Sequence, residues 1–109
     1  MYYIEKTIEI SSCHKLDLPY KSKCKNLHGH NWIITVYCKS KELNKEGMVV
    51  DFNEIKQVLS VLDHQNINEI MPLHNPTAEN IARWITLHIP YCYKAKVQES
   101  SGNVAIYEE

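Results

Sequence analysis

Two stretches of this 109-residue chain alternate with a period of two, and the apolar parity of both carries histidine. In residues 2–13, Tyr2, Ile4, Ile8 and Ile10 share one parity, while Glu5, Thr7, Glu9 and Ser11 take the other. Lys6 is the one misfit, and the apolar parity runs on to His14. This is the pattern of a strand buried on one face. Residues 28–39 read as a second strand, rich in β-branched and aromatic residues, whose even positions are His28, His30, Trp32, Ile34, Val36 and Cys38. Side chains two apart on a strand share a face, so His28-Gly29-His30 presents two imidazoles together. If the polar loop 15–27 joins the strands as an antiparallel pair, His14, His28 and His30 meet at one end of the sheet.

The remainder predicts two helices and two more strands. Asp51 with Glu54 resembles a capping box, and Phe52, Ile55, Leu59 and Leu62 follow at helical spacing, giving a helix over 52–62. Thr77 caps a second helix after Pro76; Ala78, Ile81, Ala82 and Ile85 form its buried stripe, and Pro90 ends it. Tyr91, Tyr93, Ala95, Val97 and Glu99 alternate in a third strand. Ser101-Gly102-Asn103 turns into a short fourth strand over 104–107. The order ββααββ predicts an α+β fold, one antiparallel sheet with helices on one face, in one domain over residues 1–109. The edges of so small a sheet are predicted to pair between subunits.

A net charge of −1 gives no electrostatic case for nucleic acid or an anionic membrane. No apolar run approaches the roughly 20 residues of a membrane helix. The opening residues Met1–Lys6 lack the apolar core of a signal peptide. The four cysteines form no CxxC pair. A cytoplasmic protein with reduced thiols is expected.

Three imidazoles and a water make the open geometry of catalytic zinc, and imidazole also suits iron, nickel and copper. A closed structural site with Cys24 as fourth ligand has compatible spacing, and spacing does not separate the two. Cys24 lies among Lys15, Lys21, Lys23 and Lys25, a field that favours a thiolate or a phosphorylated substrate. Asp63-His64 is either an acid–base pair or a histidine favoured at a helix C-terminus. Glu99, on the inward parity, requires a cation or a two-donor edge such as a guanine or pterin ring. The one arginine, Arg83, is on the polar side of its helix. His74 and His88 are assigned no role.

Taken together, Ser12-Cys13-His14-Lys15-Leu16, Cys24-Lys25-Asn26-Leu27-His28-Gly29-His30-Asn31, Val50-Asp51-Phe52, Leu62-Asp63-His64 with Asn68, Asn75-Pro76-Thr77-Ala78-Glu79-Asn80 and Gln98-Glu99-Ser100 resemble the 6-pyruvoyl-tetrahydropterin synthase family. The gap between Cys24 and His28 resembles its bacterial 6-carboxy-5,6,7,8-tetrahydropterin synthase branch. The resemblance implies the tunnelling fold (T-fold) and a homohexamer, a dimer of trimers. It implies Zn2+ on His14, His28 and His30, Cys24 as catalytic base, Asp63 and His64 as proton relay, and substrate contacts from Glu99, Thr77 and Glu79. The implied substrate is 7,8-dihydroneopterin triphosphate, converted to 6-carboxytetrahydropterin, acetaldehyde and triphosphate on the route to queuosine. Sister activities of the family are formation of 6-pyruvoyl-tetrahydropterin and cleavage of the dihydroneopterin side chain. A non-catalytic protein with a zinc site closed by Cys24 is the alternative of another class. Ser12-Cys13 replaces the family's usual Ala-Ala, and Ser100 stands where Thr is usual.

Overall fold

The register of the first two strands decides where everything else lies. In the computed structural model, which describes residues 1–109, β1 (Tyr2–His14) pairs antiparallel with β2 (His28–Ser40) over their full lengths. His14 stands opposite His28, Ser12 opposite His30, and Ile10 opposite Trp32. The chain continues through α1 (Phe52–Ser60), α2 (Ile67–Ile70), α3 (Ala78–His88), β3 (Cys92–Ser100) and β4 (Asn103–Glu108). The four strands form one antiparallel sheet in the order β1-β2-β3-β4. This is the α+β arrangement that the alternation predicts.

One face of the sheet makes the core. Ile10, Trp32, Ile34, Val36, Ala95 and Val97 pack against Ile55, Leu59, Ile81 and Ile85 of the helices, all buried. Asp51 caps α1 by accepting from Asn53 N, and Thr77 caps α3 by accepting from Asn80 N. Each satisfies a donor that the first helical turn leaves free.

Three details differ from expectation. Helix α1 stops at Ser60, and Leu62 reaches the core from the turn that follows. Phe52, counted on the buried stripe, is 49 % exposed at the helix start, with Lys6 Nζ 5.8 Å from its ring centre. Helix α2 is additional; one turn of helix is too short to show a hydrophobic period.

The edge of β1 is partly covered. Ser11 donates its N–H to Asp63 Oδ1 at 2.9 Å and accepts from His64 N at 2.6 Å; Cys13 N donates to the Gln65 carbonyl at 3.1 Å. The earlier part of β1, with exposed Tyr2 and Tyr3, and β4, with exposed Val104 and Ile106, have no such cover. No helix is long and apolar enough to cross a membrane.

Candidate metal centre

Cross-strand pairing places the imidazoles of His14, His28 and His30 edge to face, with ring centres 4.6, 5.2 and 4.9 Å apart. Trp32 lies beneath them, fully buried, 4.9 Å from His14 and 5.1 Å from His30. Its Nε1–H donates to the Ser12 carbonyl at 3.1 Å, which fixes the indole as a floor.

Main-chain oxygens orient two of the rings. His14 Nδ1 lies 2.7 Å from the Pro76 carbonyl, and His28 Nδ1 lies 2.6 Å from the Asn26 carbonyl. A carbonyl only accepts, so Nδ1 of each ring carries the proton and Nε2 keeps its lone pair. Burial holds His14 below the ordinary imidazole pKa, with the Pro76 carbonyl working the other way. His14 is therefore a neutral ligand in waiting.

Glu99 joins the group by way of a β-bulge. Gln98 pairs with Val104 and Ser100 with Asn103, which leaves Glu99 as the extra residue. A bulge re-aims a side chain. Here Glu99 Oε1 comes within 3.2 Å of His14 Nε2 and 3.1 Å of His30 Nε2. Both contacts fall within ion-pair distance, yet neither has hydrogen-bond geometry, and both nitrogens are buried without a partner. Buried polar atoms left unpaired are costly and call for an explanation.

A cation supplies one. The donor atoms of His14, His28, His30 and Glu99 all lie within 4.8 Å of one another. A tetrahedron with bonds of about 2.0–2.1 Å has edges of about 3.3 Å, close to the two contacts made by Glu99. Nitrogen and carboxylate donors in this number fit zinc and other first-row divalent ions.

The other expected residues are outside this donor group. Cys24, half-buried in a 3-10 turn (Lys23–Lys25), is not among the gathered donor atoms; the fourth group within reach of the imidazoles is the Glu99 carboxylate. Asp63 and His64 are in contact (Nδ1 to Oδ1, 3.0 Å), but His64 is 80 % exposed and both are outside the donor group. The Ser11 N–H, helped by His64, holds the Asp63 carboxyl below the usual carboxylate range. His64 has φ 56°, in the left-handed region. Thr77 Oγ1 is occupied as the α3 cap, 3.2 Å from Asn80 N. Glu79 and Glu99 line one cavity of about 570 Å3 beside the β3–β4 turn. His74 is exposed, and His88 stacks on Trp84 and bonds its carbonyl at 2.7 Å.

Sequence reasoning overlooked Trp32 as part of the site, and gave no role to Asn68 and Asn75, whose side chains bond the main chain of Lys15 and Asp17 just after His14. Trp32 was visible as the next even position after His30. The two asparagines gave no periodic signal, because each acts through a side-chain amide on a distant loop.

The profile of the family described as 6-pyruvoyl tetrahydropterin synthase matches residues 3–109. A 6-carboxy-5,6,7,8-tetrahydropterin synthase from Synechocystis is 32% identical over 121 residues, covering 98% of this chain and 93% of that protein. A dihydroneopterin monophosphate aldolase from Pyrococcus furiosus is 43% identical over 67 residues, covering 58% of this chain and 55% of that one. Some relatives are matched over as little as 38% of their length. The solved 6-pyruvoyl tetrahydropterin synthase of Caenorhabditis elegans superposes with a TM-score of 0.75 at 24% identity, over 99% of this chain and 95% of that one. That likeness carries the fold, the tunnelling fold.

Proposed function

Because this chain belongs to the 6-pyruvoyl tetrahydropterin synthase family, on its bacterial 6-carboxy-5,6,7,8-tetrahydropterin synthase branch, we propose that it is a zinc-dependent carbon–carbon lyase. Its substrate is 7,8-dihydroneopterin triphosphate, which with water gives 6-carboxy-5,6,7,8-tetrahydropterin, acetaldehyde and triphosphate. It acts in the cytoplasm on the route to 7-deazaguanine and queuosine. The observation that carries this reading is the pair of buried, partnerless Nε2 atoms of His14 and His30 beside a carboxylate.

His14, His28 and His30 would hold zinc. When bound, the metal supplies Lewis acidity, lowering the pKa of the side-chain proton to be removed. The rest falls to the protein's own groups. Cys24, in its lysine-rich loop, takes that proton as thiolate. The Asp63–His64 pair holds a second proton and returns it to the ring. His64 is 80 % exposed and outside the donor group, so the relay suits a site completed by a neighbouring subunit. Glu99 and Glu79 line the cavity for the pterin ring, whose adjacent N–H groups give two parallel bonds to one carboxylate.

Product analysis tests this reading. Zinc-loaded protein incubated with dihydroneopterin triphosphate is expected to release acetaldehyde and 6-carboxytetrahydropterin together. The Pyrococcus furiosus relative favours a second reading, aldol cleavage to a hydroxymethylpterin. Hydroxymethylpterin with glycolaldehyde-type products and no acetaldehyde would select it. Neither product would sink both.

Assembly into a hexamer, a dimer of trimers, belongs to the same proposal. Only 22 of 109 residues are buried, and the radius of gyration is 14.7 Å against about 13 Å for an ordinary 100-residue domain. Apolar residues stand exposed on both sheet edges. Light scattering is expected to give about six times the 12.7 kDa chain mass. A monomeric mass at micromolar concentration would refute it.

A further inference from the structure

A second β-bulge turns one cysteine toward another. Tyr37 pairs with Lys94 and Cys38 with Cys92, which leaves Tyr93 as the extra residue between β2 and β3. The inward positions of β3 are Ala95 and Val97, so unbroken alternation would send Cys92 to the opposite face. The bulge shifts the parity by one. Tyr93 stands instead on the outer face with Tyr3 and Tyr37, its ring centre 6.2 and 6.4 Å from theirs. Cys92 packs against the core beside Cys38, which is fully buried.

The main-chain bonds show how closely the two approach. Lys39 N donates to the Tyr91 carbonyl at 3.1 Å, and Cys92 turns its own N–H to the Ile89 carbonyl at 3.2 Å. Lys39–Tyr91 is thus a hydrogen-bonded pair, and Cys38–Cys92 is the non-bonded pair beside it. Pairs of that kind bring Cα atoms to about 4.5 Å, with side chains at their closest. A disulfide spans Cα separations of about 4.4–6.8 Å. The Cys38 S–H donates to the Cys92 sulfur, so the two sulfurs are already in contact.

The two thiols are unlike, and the difference gives them roles. The bond from Cys38 holds the Cys92 thiol below its ordinary pKa, against the effect of burial; Cys38 is pushed up by the same bond and by its own burial. Cys92 is half-buried, whereas Cys38 has no exposed surface. An oxidant from solvent meets Cys92 first, with Cys38 behind it as the resolving thiol. The span between them holds α1, α2 and α3, while His14, His28, His30 and Glu99 all lie outside it.

We propose that Cys38 and Cys92 are a site of reversible oxidation, closed to a disulfide by hydrogen peroxide. The Cys92 thiolate attacks one peroxide oxygen; an S–O bond forms, the O–O bond breaks, and the departing hydroxide takes up the proton that Cys92 released. Cys38 then attacks the sulfenic sulfur, and the S–O bond breaks as its oxygen leaves as water with the Cys38 proton. Two thiols lose two electrons and two protons, and one peroxide becomes two waters. The link closes every helix of the chain into one loop and restricts the unfolded state. It is independent of the reaction proposed at the metal centre.

The test treats zinc-loaded full-length protein with hydrogen peroxide and digests it without reducing agent. A Cys38 peptide linked to a Cys92 peptide is expected, about two mass units below their sum and released by dithiothreitol. Oxidation of Cys13 or Cys24 is read separately, as oxygen added to their own peptides. In Cys38→Ala, Cys92 should be trapped as a sulfenic acid that labels with dimedone. Zinc content should be equal before and after oxidation, and the urea midpoint, read with a chelator present, should rise. Recovery of Cys38 and Cys92 as free thiols after Cys24 has oxidised overturns the proposal. So does a Cys92 sulfenic acid in the parent protein that never links to Cys38. A link that lowers the urea midpoint would mean that the pair closes only by distorting the fold, and overturns it too.

Discussion

Replacing Cys24 with alanine is expected to lower turnover by about a hundred- to ten-thousandfold, the usual contribution of a positioned general base, with zinc content and unfolding midpoint unchanged. The structure separates these outcomes. The Cys24 sulfur is not among the donors gathered around His14, His28, His30 and Glu99. What Cys24 contributes to the local fold is main chain: its N–H donates to Ser22 Oγ at 3.1 Å, and its carbonyl accepts from Leu16 N. Alanine keeps both. Metal analysis, urea titration and single-turnover kinetics on one preparation decide the matter. Loss of zinc would identify Cys24 as a ligand and favour a closed, non-catalytic site. Intact turnover would remove it from the chemistry.

The second large effect is on stability. Trp32→Ala should destabilise the metal-free protein by about 3–5 kcal/mol, the range for truncating a buried aromatic. Domains of this kind hold about 5–15 kcal/mol in total, so much of the population unfolds. The indole is fully buried, packs edge-on against two imidazoles, and donates to the Ser12 carbonyl. Its removal deletes core and the floor of the metal centre together, so metal affinity falls as well. Trp32→Phe retains most of the buried surface and should lose far less. Urea unfolding with a chelator present reads the effect without the stabilisation that bound metal adds. A change below about 1 kcal/mol would mean that the imidazoles do not rest on a packed base.

Much of the architecture was legible because strand alternation is a strong signal. The even parity of residues 4–14 and 28–38 is the inward face, buried at Ile10, Ser12 and His14 and from Trp32 to Cys38, and the pairing of His14 with His28 follows from continuing it. The capped helices were legible from Asp51 and Thr77, whose side chains accept the bonds expected of them. The contribution of Glu99 was only half legible. Parity places it inward, but the bulge that carries its oxygen to 3.1 Å from His30 is a property of the β3–β4 ladder. The clamps made by Asn68 and Asn75 were illegible for another reason: they act across more than 50 residues through single side chains. Nothing periodic marks such contacts. Asp63-His64 was visible as a pair, but its place on the β1 edge depends on Ser11, a strand away.

The oxygens that set the tautomers of His14 and His28 are the carbonyls of Pro76 and Asn26. Every amino acid brings a carbonyl, so a codon change at either position does not abolish the acceptor while the chain keeps its course. Ligand orientation here is insulated from mutational drift in a way that a carboxylate-oriented imidazole is not. An engineer wishing to swap the preferred ion would find no replaceable side chain behind these two rings, and would have to work at the coordinating groups themselves.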